Sequence, residues 1–384
     1  MSKIIFRYIL KEIAIVFFMI LFVLTFVLLV GKILQVMDMI VNKGVSLTSI
    51  AKIIIFLLPS FLTFTIPVAL LIAILITVGK LSADNEITAL KASGVSLLQI
   101  FYPVAVASLL AFAFTMFVSQ VLLHRCNFAT KNLLFEVASQ NASVGISEKV
   151  FNADFKDLLL YADRISSDGQ YMEGVMVSDN RIIGEPNTIL AQKAFLISNP
   201  DVMQVKMRME NGSIHTVSKD FKNYRKIDFD RYDINLDLSV GLAALGDEHK
   251  RSEDMTLNEL ITKMKTSDIE NNKFRELAIE LHGRFSVPLA CIFFGLLALP
   301  LGIRSHRAVK SRGFAVGIIL ATFYYLLRIG GEAFAETGYI SPVIGVWTPN
   351  LIFALLGIYL FVMAYKEIPL LHLSKVYLWR KIYH

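Results

Sequence analysis

Residues 79–96 read GKLSADNEITALKASGVS and form a short polar interruption between two long apolar runs, residues 53–78 and 97–121. The hydrocarbon core of a bilayer is about 30 Å thick, so a spanning helix needs about 20 mostly apolar residues, and both runs are long enough. Both ends of the polar stretch are therefore tied to membrane-length helices. A partner that moves the stretch moves both helices.

The middle of this stretch, about residues 82–92, predicts a short helix. Ser82 can cap its start, and Asp84 and Glu86 lie where the positive end of a helix dipole favours acidic side chains. Gly94 is a typical residue just past a helix end.

One face of this short helix carries Ile87, Leu90 and Lys91, with Glu86 beside them. An amphipathic helix that lies across the membrane surface is a suitable contact for a soluble partner. A solvated connector without a partner is the alternative explanation of such a charged loop.

The composition of the whole chain indicates an integral membrane protein. Of its 384 residues, 55% are hydrophobic and only 18% are charged, and the mean hydropathy is +0.58, which is too apolar for a soluble globular protein. The first apolar run exceeds the apolar core of a cleaved signal peptide, so we expect it to remain as the first helix. Six apolar runs predict membrane spans: residues 13–30, 53–78, 97–121, 285–303, 314–327 with a continuation to 335, and 346–364.

Lysine and arginine predict the orientation of these spans, because they concentrate on the cytoplasmic side. With six helices, four basic segments fall on one side: before helix one, between helices two and three, between helices four and five, and after helix six. Both termini are therefore expected in the cytoplasm, and the large segment between helices three and four outside. The net charge of +6 reflects this bias, so we do not infer nucleic-acid binding.

The large outer segment predicts a β domain over about residues 138–238. Val205, Met207 and Met209 alternate with charged residues, so one face of that strand is apolar and the other polar. Asn211-Gly212 then predicts a hairpin turn. Strands are expected at residues 149–151, 158–165, 172–178, 181–183, 188–198, 202–209, 213–218 and 224–236.

Many short strands separated by turns favour an antiparallel sandwich or jelly roll. Its apolar face forms either a packed core or an open interior that holds acyl chains, and the residues do not separate these two cases. After this domain, residues 256–259 form a capping box for a helix at 257–265. Apolar residues at helical spacing then lead from Phe274 into the fourth span.

Charged residues near the membrane suggest a lipid contact. Lys32 follows helix one and either extends to the lipid headgroups or binds an anionic lipid phosphate. Arg328 and Glu332 are four residues apart and therefore share one face of helix five. They form either a structural ion pair or, through Arg328, a cationic site for a phosphorylated lipid. Glycines at 313, 317, 330 and 331 allow close helix approach, within the chain or to another membrane subunit.

The sequence lacks the motifs of the common enzymes. Neither Gly-Lys pair belongs to a GxxxxGK[ST] phosphate loop, and HExxH, GxSxG and CxxC are absent. Cys126 and Cys291 are too few for a metal site, and a disulfide between them is not expected. We therefore predict a protein without catalytic residues, metal or cofactor.

Two segments carry a resemblance to a known family: GKLSADNEITALKASGVS, and ELHGRFSVPLACIFFGLLALPLGI at residues 280–303. Together with three helices, an outer β domain and three more helices, they resemble the LptF/LptG (YjgP/YjgQ) permeases of lipopolysaccharide export. The form GKL…EIT…ASG and the N-terminal RYILKE are more similar to the LptF branch. The resemblance implies six transmembrane helices plus a periplasmic antiparallel β-jelly-roll domain in the inner membrane of a Gram-negative bacterium. The implied divisions are residues 1–123, 124–281 and 282–384.

The resemblance also implies partners. An LptF and an LptG subunit form the membrane part of an ABC transporter that two copies of the ATPase LptB drive. The transporter extracts lipopolysaccharide from the membrane and passes it through β-jelly-roll domains towards LptC and LptA. Asp84, Glu86, Ile87, Leu90 and Lys91 would then belong to the coupling helix that sits in LptB. Helices one and five would border the lipid gate.

At the gate, Lys32 falls where members of the family place a basic residue near the lipid phosphates, although a second basic residue of some members is Gln35 here. Val205, Met207 and Met209 would lie on the lipid path. The hypothesis is a permease subunit for lipopolysaccharide without ATPase activity of its own. The alternatives are a permease for another lipid or a lipoprotein, and a membrane scaffold or sensor that transports nothing.

Overall fold

The computed structural model of the chain describes residues 3–43, 47–130, 132–133, 148–155, 158–166, 171–181, 187–199, 204–217, 224–236, 252–266, 272–303 and 312–367. They pack as two units, one of residues 1–30, 58–125 and 252–384, the other of residues 31–57 and 126–251. The described residues 252–266 and 272–281, where connecting helices were predicted, belong to the unit that contains most of the membrane helices. The domain divisions at residues 123 and 281 stay predictions.

Among the described residues eight α-helices have defined bounds, and residues 123–130, after the fourth of them, are α-helical as well. The fourth continues through a π-helical turn, Val118–Leu122. The helices are α1 Lys3–Lys43, α2 Leu47–Ala83, α3 Glu86–Ala92, α4 Leu97–Phe117, α5 Leu257–Thr266, α6 Asn272–Ile303, α7 Arg312–Glu336 and α8 Pro342–Tyr365.

Six helical segments in the described part of the chain are long and apolar enough to cross a membrane. They include all six apolar runs, so the predicted number and order of spans are confirmed, and the protein is a multi-pass membrane protein. The segments are Lys3–Ile33, Thr48–Ala83, Leu97–Thr130, Asn272–Ile303, Gly313–Glu336 and Pro342–Tyr365.

Helices α2 and α6 form the centre of the bundle. In their most apolar windows 72% and 67% of the residues are buried, compared with 22% in α1 and 17% in α7. The exposed side chains of α1 and α7 are large and apolar, for example Phe22 and Phe323. These two helices are the least covered by the chain itself, so their apolar surfaces are open to lipid or to another protein.

A buried polar network joins α6, α7 and α8. The Tyr324 hydroxyl donates to Asn350 Oδ1 at 3.0 Å, and Asn350 Nδ2 donates to the carbonyl and hydroxyl oxygens of Ser286, both at 2.8 Å. Ser286 Oγ in turn donates to the carbonyl of Val346 at 3.0 Å. In lipid, unsatisfied polar groups are costly, so this network fixes which faces of the three helices meet.

Glycines bring helix backbones together within the chain. A Cβ atom on Gly331 of α7 would overlap the carbonyl oxygen of Gly345 in α8, and one on Gly317 would lie 2.6 Å from Ile72 of α2. Gly313 likewise faces the backbone of Leu75. Internal packing therefore accounts for three of the glycines that the sequence singled out, whereas Gly330 has open space beside it.

The second unit contains one antiparallel sheet of six described strands. Neighbours in the sheet are neighbours in the sequence, so the sheet is a meander, and the predicted antiparallel β domain is confirmed. The strands are β1 Asn152–Phe155, β2 Leu158–Ile165, β3 Tyr171–Asp179, β4 Asn187–Asn199, β5 Gln204–Val217 and β6 Tyr224–Leu236.

This sheet is rolled over on itself. Through the register of β4 and β5, Asp179 at the end of β3 corresponds to Arg225 in β6. Yet Arg181 Nη1 donates to the carbonyl of Asn235 at 3.0 Å, although Asn235 lies ten residues further along β6, about 33 Å in an extended strand. A jelly roll has two layers. Among the described strands both layers come from one sheet, which folds over its own apolar face.

Arg181 is itself anchored by Asp179, to which it donates from Nε at 2.9 Å and from Nη2 at 2.6 Å. Burial alone would raise the pKa of the Asp179 carboxyl, but the hydrogen bonds and the positive charge of Arg181 lower it overall. The Asp179 carboxylate therefore keeps its charge near neutral pH and holds Arg181 in place.

The predicted hairpin at Asn211-Gly212 is wrong. Strand β5 continues through both residues, and Gly212 pairs with Ala191 on one side and with Phe229 on the other. Asn211 has a left-handed φ of 51°, but the register does not change there. A Cβ on Gly212 would overlap the carbonyl of Leu190 and lie 2.5 Å from the Phe229 ring, so the glycine makes room for a cross-strand aromatic side chain.

We predict that Gly331→Ala destabilises the membrane bundle by about 1–3 kcal/mol, because the added methyl group forces α7 and α8 apart. The neighbouring Gly330→Ala is the matched control and is expected to be neutral or slightly stabilising, because nothing lies within 4 Å of its Cβ position. Thermal unfolding of both purified variants in detergent measures the difference. Equal melting temperatures would contradict the close packing of α7 on α8.

Candidate functional site

The polar stretch at residues 79–96 contains one short helix, as predicted, but the helix begins later than expected. Helix α2 runs on to Ala83, and α3 covers Glu86–Ala92. Ser82 is therefore not its cap: the Ser82 hydroxyl donates to the carbonyl of Ile303 at 2.7 Å and satisfies the end of α6. Asn85 precedes α3 in a left-handed conformation without a side-chain cap.

Helix α3 ends where the sequence placed its end, at Gly94, whose φ of 86° few other residues adopt. The next helix begins with a full capping box, in which Gln99 N donates to Ser96 Oγ and Ser96 N donates to Gln99 Oε1. The short helix is thus a defined element between α2 and α4.

The predicted docking face of α3 is turned partly towards the bundle. Ile87 is buried in the apolar core of the membrane unit, and Leu90 and Lys91 are half-buried. Lys91 Nζ forms an ion pair with Glu367 Oε1 at 3.0 Å, so α3 also contacts the residues that follow α8. The exposed residues from Ala83 to Gly94 are Ala83, Asp84, Asn85, Thr88, Ala89, Ala92, Ser93 and Gly94.

Two polar contacts connect this region to α1. The Tyr8 hydroxyl donates to Glu86 Oε1 at 3.3 Å, and Lys80 Nζ pairs with Glu12 Oε2 at 3.1 Å. Tyr8 and Glu12 are four residues apart, so they lie on one face of α1. The Glu86 carboxylate is half-buried and is held beside α1.

The pair of Arg328 and Glu332 forms as the spacing predicts. Arg328 Nε donates to Glu332 Oε1 at 2.7 Å, and both side chains are 23% exposed. Arg328 Nη2 also lies 3.5 Å from the Cβ position of Gly283, so α7 and α6 are close there. Lys32 lies in α1 and is half-buried. The side chain of Gln35 lies outside the described part of the chain.

The apolar face of the β domain is closed in this structure. Met207 and Met209 are completely buried, in a cluster with the inward side chains of β2, β3 and β4. Val205 pairs with Leu236 in the register of β5 and β6, but its side chain lies outside the described part of the chain. A lipid reaches these methionines only if the rolled sheet opens.

Sequence reasoning missed Arg284 in α6, although it lies inside a segment that carries the family resemblance. Its side chain is 3% exposed and pairs with Glu280 at 2.7 Å. It also donates to the carbonyl oxygens of Met255, Ser252 and Glu253 at 2.7, 3.1 and 3.0 Å. The sequence did contain a signal for it. Three charged residues, Glu276, Glu280 and Arg284, follow one another at intervals of one helical turn at the start of an apolar run.

Within the described ranges no three His, Cys, Asp or Glu side chains lie together as metal ligands would. Cys126 and Cys291 are free thiols. The polar groups of the membrane unit instead form pairs and networks between helices. Such an arrangement fixes the helices against one another.

Comparison with known proteins is consistent with this arrangement. An uncharacterised protein of Rickettsia prowazekii (strain Madrid E) is 23% identical over 313 residues, which cover 79% of this chain and 83% of that protein. The lipopolysaccharide export system permease protein LptF of Escherichia coli K12 is 21% identical over 373 residues, 93% of this chain and 94% of that protein. The protein of the same name from Shigella flexneri matches to the same extent.

A family model described as the lipopolysaccharide export system permease LptF/LptG matches residues 7–363, nearly the whole chain. This extent includes four membrane spans completely and most of the first and the last, together with the described strands and α3. The chain belongs to the LptF/LptG family of lipopolysaccharide export permeases.

Proposed function

We propose that this chain is a permease subunit of an ABC transporter that extracts lipopolysaccharide from the inner membrane and passes it through its β domain towards the outer membrane. The observation that carries the proposal is the family match over residues 7–363. The six spans and the separate antiparallel sheet support it. In this arrangement both termini are cytoplasmic and the large domain is periplasmic.

ATP hydrolysis belongs to a separate LptB-type subunit in this proposal. The sequence contains no GxxxxGK[ST] phosphate loop. A sister permease, LptG if this chain is an LptF, completes the membrane part. LptC and LptA receive the lipid. The uncovered apolar sides of α1 and α7 support the need for a membrane partner, because their large side chains find no cover within the described chain.

Helix α3 is the proposed coupling element. Its exposed side, together with Asp84, is available to an ATPase, while Ile87 anchors it in the membrane core. Leu90 and Lys91 are half-buried, and Lys91 is paired with Glu367, so we expect them to hold the helix on the bundle. Glu86 serves both purposes. It is partly exposed and can contact an ATPase, and its carboxylate also accepts a hydrogen bond from Tyr8 of α1.

The lipid phosphates are proposed to bind at Lys32 and Arg328. Arg328 already has a carboxylate partner, so a phosphate would compete with Glu332 or share the guanidinium with it. Arginine is suited to this exchange, because its planar group presents five donors and binds phosphate through two of them at once. The charge of Arg328 is thus neutralised both before and after a lipid arrives, which keeps it tolerable in the membrane.

Photo-crosslinking in cells tests the function and the lipid path together. In three separate variants a photoreactive residue replaces Val205, Met207 or Met209. The matched control carries the same photoreactive residue at Lys206, on the exposed side of the same strand. We expect a lipopolysaccharide adduct at the apolar positions that depends on ATPase activity, and little at Lys206, because the acyl chains follow the apolar face. An abundant, folded protein without any adduct would contradict the path.

The coupling proposal is tested by Glu86→Ala. We expect the variant to lose copurification with the ATPase and to lower lipopolysaccharide extraction about tenfold or more, because a charge-assisted hydrogen bond contributes about 1.5–3 kcal/mol. Tyr8→Phe is the control: it removes the contact within the chain and leaves the Glu86 carboxylate in place. Unchanged assembly and extraction in Glu86→Ala would show that the coupling assignment is wrong.

The lipid-phosphate proposal is tested by Arg328→Ala, with Arg328→Lys and Glu332→Ala as companions. Loss of the cation is expected to lower extraction about tenfold while protein abundance falls less. Arg328→Lys keeps the charge and should retain more activity, and Glu332→Ala should leave phosphate binding intact. Parallel loss of abundance and extraction in Arg328→Ala and Glu332→Ala would mean that the pair is structural. Extraction from reconstituted vesicles and immunoblotting measure both quantities.

A further inference from the structure

Arg284 is the most completely satisfied buried charge of the described membrane unit. A guanidinium has five N–H donors, and four of them are used: Nε for Glu280, one on Nη1 for Met255, and two on Nη2 for Ser252 and Glu253. A buried arginine with only one partner would be expensive, so this geometry binds the turn at residues 252–255 tightly to α6.

Further contacts fix the same turn. Ser252 Oγ donates to Glu276 Oε1 at 2.8 Å, and Glu276, Glu280 and Arg284 follow one another at four-residue intervals along one face of α6. Beside them Met255, Leu260 and Leu277 form a small buried apolar cluster. Helix α5 begins directly after the turn with a capping box between Thr256 and Glu259. The turn, α5 and the first part of α6 therefore form one rigid piece.

This piece lies where the chain returns from the β domain. Strand β6 ends at Leu236, and the turn at Ser252 is the next described element. On its other side Arg284 meets the fourth helix, because Gln120 Nε2 donates to the backbone carbonyl oxygen of Arg284 at 3.5 Å. Gln120 belongs to the π-helical turn that follows α4, after which residues 123–130 are again α-helical. Such π-helical turns are frequent at functional positions.

We propose that Arg284 is a positioning residue that joins the returning connection of the β domain to α6, so that movement of the membrane helices is transmitted to the β domain. The inference rests on the proposed transport function. It assigns Arg284 neither to ATPase docking nor to lipid binding, because its donors already face Glu280 and three backbone carbonyls of its own chain.

Only arginine fits this role. Lysine carries the same charge, but its single ammonium group cannot reach a carboxylate and three carbonyls that are arranged around a planar fork. Arg284→Lys therefore preserves the charge and the ion pair with Glu280 while it releases the turn. A purely electrostatic role and a positioning role predict different results for this variant.

The test uses the complete complex with its ATPase and sister permease, reconstituted in vesicles. It compares wild type, Arg284→Lys and Tyr324→Phe for ATP hydrolysis and for lipopolysaccharide extracted per ATP. Tyr324→Phe is the matched control, because it removes another buried hydrogen bond of α7, to Asn350, that does not touch the turn. We expect Arg284→Lys to keep hydrolysis and to lower extraction per ATP about tenfold, the effect of losing about 1.4 kcal/mol of coupling.

A second measurement reports directly on the attachment of the turn at residues 252–255 to α6. Hydrogen exchange of residues 252–266 should become faster in Arg284→Lys and stay unchanged in Tyr324→Phe. If Arg284→Lys does not accumulate, Ser252→Ala replaces it, since this variant removes only the contact to Glu276 and should shift both readouts in the same direction.

Two results would overturn the inference about Arg284 and leave the proposed function intact. One is a wild-type ratio of extraction to hydrolysis in the variant. The other is a parallel fall of hydrolysis and extraction, with their ratio unchanged, in a variant that accumulates normally, as for a merely structural residue. A wild-type complex that hydrolyses ATP but extracts no lipopolysaccharide would instead contradict the proposed function, and the inference with it.

Discussion

Close contact of helix backbones in the membrane is the constraint on which the rest of this structure depends. Burial of apolar side chains does not drive helices together in lipid, so packing and hydrogen bonds must do so. A Cβ on Gly295 of α6 would overlap Ser108 of α4, and one on Gly302 would lie 2.8 Å from Val78 of α2. Helix α6 can therefore occupy the centre of the bundle only because it lacks side chains at these positions.

From that centre α6 makes hydrogen bonds to several other elements of the membrane unit. Its C-terminal carbonyl at Ile303 accepts from Ser82, at the end of α2 and just before α3. Its middle is joined to α7 and α8 through Ser286, Asn350 and Tyr324. Two positions before Ser286, Arg284 holds the turn at residues 252–255, which follows the β domain in the sequence. One helix thus joins α2, α7, α8 and the turn at residues 252–255 by hydrogen bonds.

Much of the fold could be predicted because it depends on patterns among residues that are close together in the sequence. The six spans followed from the length of apolar runs, and β2 and β6 have the bounds that alternation and turn residues indicated. Gly94 marked the end of α3 because its backbone conformation is a local property. Features that depend on distant partners were missed. Asn211-Gly212 is typical of a turn, but the ring of Phe229 in the next strand makes the glycine part of a continuous strand.

The same reasoning explains the outcome at the candidate site. The spacing of Arg328 and Glu332 within one helix was sufficient to predict their pair. The burial of Ile87 and the partners of Ser82 and Arg284 depend on residues far away in sequence, so no helical or strand period could indicate them. The exposed side of α3 consequently became known only with the structure, as did the closed core around Met207.

The roll of the β sheet has a consequence for the order in which the domain folds. Each strand pairs only with its neighbours in sequence, so the hairpins can form one after another with short loops to close. The contact between Arg181 and Asn235 joins residues on either side of β4 and β5 and needs both strands in place. The contact between Arg181 and Asn235 therefore forms late. The six strands can pair one after another before the sheet closes over its apolar interior.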